Sequence, residues 1–184
     1  MMEKIISDYR RFFLPTIVKY WVMTALMAIG MGLAAYANRK LIIPAVVLSG
    51  YFAVMSIIGT ADIALREPHR FKEMLLELPE NERSKIAAEY EKAAKFHCKR
   101  FLEEYVLFYL KRRIMLVRYD EIESAEAKGF KIWLRLSGGR MTAVPLFPSE
   151  NPAVIVAVLR AKNPDISVLI NGKVVESMEK RKKE

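Results

Sequence analysis

One cysteine, Cys98, and two histidines, His69 and His97, are all that this chain has of the residues that most often bind metals or form disulfides. A lone cysteine excludes an internal disulfide and fits a reducing compartment. His97 and Cys98 are adjacent and so not at metal-ligand spacing. Side chains of neighbouring residues also diverge along a strand or helix, which argues against a Cys–His nucleophile. No P-loop, G-x-G-x-x-G or G-x-S-x-G motif occurs. Glu103-Glu104 and Glu121/Glu123 could be imagined as paired carboxylates, but such charges are ordinary at turns and on solvent faces. No catalytic residue, cofactor or metal is expected, and the chain reads as a non-enzyme.

Charge is missing from two long stretches. None occurs from Tyr20 to Ala37, and none from Leu41 to Ala61. A helix of about 20 residues spans the roughly 30 Å hydrocarbon core of a bilayer, so each stretch is long enough to cross. Asn38-Arg39-Lys40 between them can only turn the chain round. The expectation is a transmembrane helical hairpin over 16–66, preceded by a leader over 1–15. A secretory signal peptide is the rival, because Ala35-Tyr36-Ala37 resembles a cleavage site. Against it stand the length of the apolar region, the second span that follows at once, and the acids Glu3 and Asp8 in the leader.

Basic residues set the orientation. Lys4, Arg10, Arg11 and Lys19 precede the first span, and Arg66, Arg70 and Lys72 follow the second, whereas the turn has only Arg39 and Lys40. Both termini are therefore expected in the cytoplasm, with the protein in the cell membrane. Ala28 and Gly32 on the first span, and Ala45, Ser49 and Ala53 on the second, repeat a four-residue spacing that lets helices approach closely, so these stripes are expected to face each other. Asp62 is read as an i,i+4 partner of Arg66 rather than an ion path.

Residues 67–97 read as a helical connector. Glu67-Pro68 allows a break, and Phe71, Met74, Leu75 and Leu78 have helical spacing. Pro79 opens a further helix with Ile86, Tyr90, Ala93, Ala94 and His97 near one face. Near Cys98 the period changes to 2. Tyr105–Leu110, Ile114–Val117, 121–128 and Lys131–Leu136 read as strands, with His97–Leu102 as a further candidate. Gly138-Gly139 is a hairpin turn before a return strand, 141–147, in which Pro145 suggests an edge or strand end. A helix over 153–162 and a short strand over 166–170 follow. Residues 171–184 read as a basic disordered tail.

Hairpin-linked antiparallel strands closed by one helix resemble a pleckstrin-homology-like domain. Residues 113–124 are similar to the bacterial pattern in which a basic-apolar strand reaches an aromatic-x-x-Ile corner, here Tyr119 to Ile122. Trp133 to Arg140 resembles that family's apolar strand, glycine turn and basic restart. Two spans, a linker and this domain are similar to YcxB-like bacterial membrane proteins. The resemblance covers 96–170 and implies an α+β chain: a transmembrane hairpin plus a cytoplasmic antiparallel sheet or barrel capped by a helix. It also implies binding without catalysis.

The leading expectation is an adaptor or regulatory subunit that contacts another membrane or membrane-associated protein. Self-association is compatible with it. The alternative is a sensor of anionic lipid headgroups through Lys111, Arg112 and Arg113. The bilayer is a partner in both. Nucleic acid is not expected, because the net charge of +9 is spread along a chain that is 53% hydrophobic.

Overall fold

The computed structural model describes residues 2–111 and 113–174. The chain forms two compact units, one of Met1–Pro79 with Lys111–Ile114, the other of Glu80–Leu110 with Met115–Glu184. It is an α+β protein with long apolar helices and two sheets.

In the first unit, α1 (Met2–Ala37) and α2 (Ile42–Ala61) are joined by a single 3-10 turn, Arg39–Leu41. Asn38 caps that turn, its side chain accepting the Lys40 amide at 3.1 Å. α1 takes in the stretch 2–15 and runs unbroken through Pro15. One missing amide is outweighed because the preceding turns bury Ile5, Ile6, Tyr9 and Phe13 on one face. After α2 the helix widens into a five-residue π turn, Asp62–Arg66, and continues as α3 (Glu67–Glu77). The expected break at Glu67-Pro68 does not occur. Pro68 cannot donate to the carbonyl four residues back, and the Arg10 guanidinium fills that role, donating to the Ala64 carbonyl at 2.6 Å. Lys72 pairs with Glu3 at 2.6 Å, fastening the start of α1 to α3. Asp62 and Arg66 are 3.6 Å apart, the i,i+4 pair the sequence suggests.

Both long helices are apolar and long enough to cross a membrane. Their large side chains point away from each other: Leu26, Ile29, Leu33, Ile43, Val46 and Val47 are all exposed. Small and polar residues face inward. Thr24 and Ser56 hydroxyls meet at 2.6 Å, and Thr24 donates to the Tyr20 carbonyl at 3.0 Å. Trp21 Nε1 donates to Thr60 Oγ1 at 3.1 Å. A Cβ on Gly59 would come within 2.9 Å of the Tyr20 ring.

On α2, Ala45 is buried and Ser49 and Ala53 are half-buried. On α1 the expected stripe needs correction, because Ala28 and Gly32 are exposed and a Cβ on Gly32 would meet open space. The Thr24–Ser56 contact fixes the rotation of α1, and Thr24, Met27 and Met31 form its half-buried side. A hydroxyl pair has outcompeted a small-residue stripe for the interface.

The second unit opens with α4 (Glu80–Tyr90), which buries Ile86 and Tyr90. The helix expected to reach His97 stops seven residues short of it. The Lys92 and Ala93 amides both turn back to the Glu89 carbonyl, and 94–96 is taken into a sheet. That sheet runs β1 (Ala94–Phe96), β2 (Lys99–Phe101), β3 (Tyr105–Leu110) and β4 (Arg113–Arg118) in order. Phe101, Tyr105, Phe108 and Tyr109 are buried, with the Tyr90 and Tyr109 hydroxyls in contact at 2.5 Å.

The second sheet has the order β7-β6-β5-β8-β9. β5 (Ile122–Lys128), β6 (Lys131–Leu136) and β7 (Arg140–Pro145) form an antiparallel meander. β6 alternates strictly, with Ile132, Leu134 and Leu136 buried. Gly138 and Gly139 adopt φ of 77° and 74° at the tight turn, a region most L-residues avoid. α5 (Pro152–Lys162) then returns the chain to β8 (Ser167–Ile170), which lies parallel to β5. β9 (Lys173–Val174) pairs with β8, so part of the expected tail is strand, while 175–184 lies outside the described residues. Among the described residues, no pairing joins the two sheets into a closed barrel.

Candidate functional site

The first residues of α5 and the β1–β2 turn enclose a groove of about 540 Å³, lined by Phe96, His97, Ser149, Asn151, Val154 and Ile155. His97 makes the turn possible by adopting φ +47°, a conformation that histidine tolerates better than most residues. Its ring stacks on Phe147 with centroids 4.7 Å apart, and Nε2 lies 2.8 Å from Ser149 Oγ. Phe96 packs edge-on against Phe101 at 5.7 Å. Val154 stays exposed on the helix side.

Beneath the groove lies a buried ion pair. Lys99 is 0% exposed and the Glu150 side chain 2%, with Nζ and Oε2 2.6 Å apart. Lys99 also donates to the Pro145 carbonyl at 2.8 Å and to Cys98 Sγ at 3.6 Å. Glu150 Oε2 accepts the Phe147 amide at 2.9 Å, while Oε1 is buried with no hydrogen-bond partner. The pair thus fastens β2 to the end of β7 and the start of α5. Burial pushes the Cys98 thiol up from its ordinary range, against the opposing pull of the Lys99 cation.

The polar groups around the groove are already engaged. All three ammonium hydrogens of Lys99 are engaged, so the amine has no free position for substrate. The amides that open α5 are occupied too. Asn151 Oδ1 accepts from Ala153 at 2.9 Å, the Asn151 carbonyl accepts from Val154 at 3.1 Å, and Pro152 has no amide hydrogen. The helix start therefore offers no anion cradle. Among the described residues no cluster of three metal-ligating side chains occurs. What remains is a largely apolar recess with a few polar groups at its rim, the usual form of a binding pocket.

The sequence reading missed this site because Lys99 and Glu150 are 51 residues apart. Its one available signal was the helix-start sequence Ser149-Glu150-Asn151-Pro152. The other expected site is only partly visible. Lys111 is exposed in the β3–β4 turn, with Nζ 5.2 Å from the centre of the Tyr20 ring. Arg113 is exposed at the start of β4, and Arg112 lies outside the described residues. No protein-family model, curated protein or solved structure matches this chain.

Proposed function

We propose that the chain is a membrane-anchored cytoplasmic binding module of pleckstrin-homology-like type. In this reading α1 and α2 cross the cell membrane as a hairpin, both termini are cytoplasmic, and the β unit acts as an adaptor or regulatory subunit for another membrane or membrane-associated protein. The observation that carries it is the inverted burial of the hairpin, with large apolar residues outside and small or polar ones inside. Four strands, then three, then a helix is the element order that supports the fold reading, with β8 and β9 as additions. No reaction is assigned.

In this reading the partner binds the groove beside α5, whose recess between Phe96 and Val154 suits an apolar side chain. Tethering raises the local concentration of the module for membrane neighbours, so modest affinity suffices. A photo-crosslinking residue at Val154, in native membranes, is expected to capture one defined protein, and capture should be lost with Ile155→Asp. Recovery of the uncrosslinked chain alone would count against the adaptor reading.

A second reading, lipid headgroup sensing through 111–113, has one observation in its favour. Lys111 stacks on Tyr20, the first residue of the uncharged stretch, which is where a headgroup region would begin.

A further inference from the structure

The outer face of the β5–β6–β7 meander carries a feature that the fold does not need. Lys128 and Lys131 pair across a two-residue loop, and Gly129 at φ +59° makes that turn. The remaining loop residue is Phe130, 77% exposed. Turn geometry asks nothing of an aromatic side chain there, and an apolar group so exposed to water is a solubility cost. Trp133, opposite Ala143, is 36% exposed, and Met141, opposite Arg135, is 66% exposed. Strand alternation sets both on the same outward face.

The charges at the tip are of one sign, two lysines, while the strands behind it are mixed, with Glu126 opposite Trp133. Lys128 and Lys131 are exposed, and neither forms an ion pair among the described residues, whereas Arg140, opposite the buried Leu136, belongs to the other face. Lys131 instead lies 5.7 Å from the centre of the Trp133 ring. Arg135 is partly neutralised by Glu123 at 3.4 Å. The apolar groups project from a hairpin tip rather than line a recess. A projecting tip of phenylalanine and tryptophan flanked by lysines fits a soft, negatively charged interface better than a shaped protein pocket.

We infer that this tip rests on an anionic bilayer surface, with Phe130 and Trp133 at headgroup level and Lys128 and Lys131 against the lipid phosphates. The inference builds on the proposed membrane hairpin. A weak surface contact becomes persistent when the same chain is already anchored.

The full chain reconstituted into vesicles tests both points separately, because it has two tryptophans, Trp21 and Trp133. Trp133→Phe leaves Trp21 as reporter of the anchor, and Trp21→Phe leaves Trp133 as reporter of the face. With brominated lipids as quenchers, Trp21 emission is expected to be quenched in any bilayer. Trp133 emission should be quenched only when phosphatidylglycerol is present, and high salt should relieve it. Lys128→Gln with Lys131→Gln is expected to weaken the contact on the order of 30-fold and abolish that quenching. Trp21 quenched with Trp133 unquenched in anionic vesicles would overturn the inference alone. So would Trp133 quenching indifferent to lipid charge and to the double substitution. Trp21 unquenched would remove the anchor, and this inference with it.

Discussion

The β unit and the uncharged stretches of the hairpin bury opposite things. In the β unit Val106, Leu107, Phe108, Ile132, Leu134 and Val144 are inside. In the hairpin the inside belongs to Ala45, Ser56 and Gly59, while residues such as Leu33, Ile43 and Val47 are outside. The proposed membrane hairpin puts the two in different solvents. Water drives apolar surface inward, whereas hydrocarbon offers no such drive and leaves close packing and hydrogen bonds to hold helices together. The polar interiors differ in the same sense. The hairpin hides uncharged hydroxyls, which satisfy each other across the interface. The β unit hides a full ion pair, tied into its surroundings by three further hydrogen bonds.

The sharpest way to break this contrast is at the ion pair. Lys99→Ala leaves the Glu150 carboxylate buried and uncompensated, and is expected to destabilise the β unit by about 3–5 kcal/mol. Denaturant unfolding of the Trp21→Phe chain in detergent, followed by Trp133 emission, reads the loss. Lys99→Met with Glu150→Leu, which removes both charges, should recover most of it. Equal damage from the double replacement would mean that the pair's geometry, rather than its charge balance, holds the groove.

In the hairpin the corresponding weak point is a glycine. Gly59→Leu puts a side chain where the Tyr20 ring already leaves 2.9 Å to a Cβ. The expected cost is about 1–3 kcal/mol, as for overpacking elsewhere. Gly32→Leu, on the open side, should be tolerated. Refolding from dodecyl sulfate into lipid micelles measures both, and reversed rankings would put the interface on the other side of α1.

A smaller effect is expected where the helix passes Pro68. Arg10→Met removes the donor to the Ala64 carbonyl and should cost about 1 kcal/mol. Pro68→Ala restores a backbone donor, so the same Arg10 substitution in that background should cost measurably less. A purely additive cycle would show that the guanidinium does not replace the missing amide.

Local patterns predicted much of this fold, and long-range competition decided the rest. The uncharged stretches marked the two long helices, the alternation of Lys131–Leu136 marked β6, and Gly138-Gly139 marked its turn. Pro15 and Pro68 read as boundaries because a proline's cost is local, while the contacts that outweigh it come from distant residues, Arg10 for the second. Ala28 and Gly32 carried a small-residue motif, but motif spacing cannot say which face of α1 finds a partner. β8 beside β5 was not legible as a parallel pairing, since only the crossover through α5 creates it. The groove was hidden for the same reason: Cys98 and Lys99 lie far from Pro145 in sequence, yet the His97 turn lets both reach its carbonyl.

The central claim is that the hairpin crosses the membrane twice, leaving its turn and the β unit on opposite sides. Single cysteines in a Cys98→Ala background test it directly, with Asn38→Cys in the turn and Glu103→Cys on an exposed loop of the β unit. A membrane-impermeant maleimide applied to intact cells is expected to label the Asn38 position at once and the Glu103 position only after lysis. Labelling of the Glu103 position from outside, with the Asn38 position protected or equally reactive, would contradict the account.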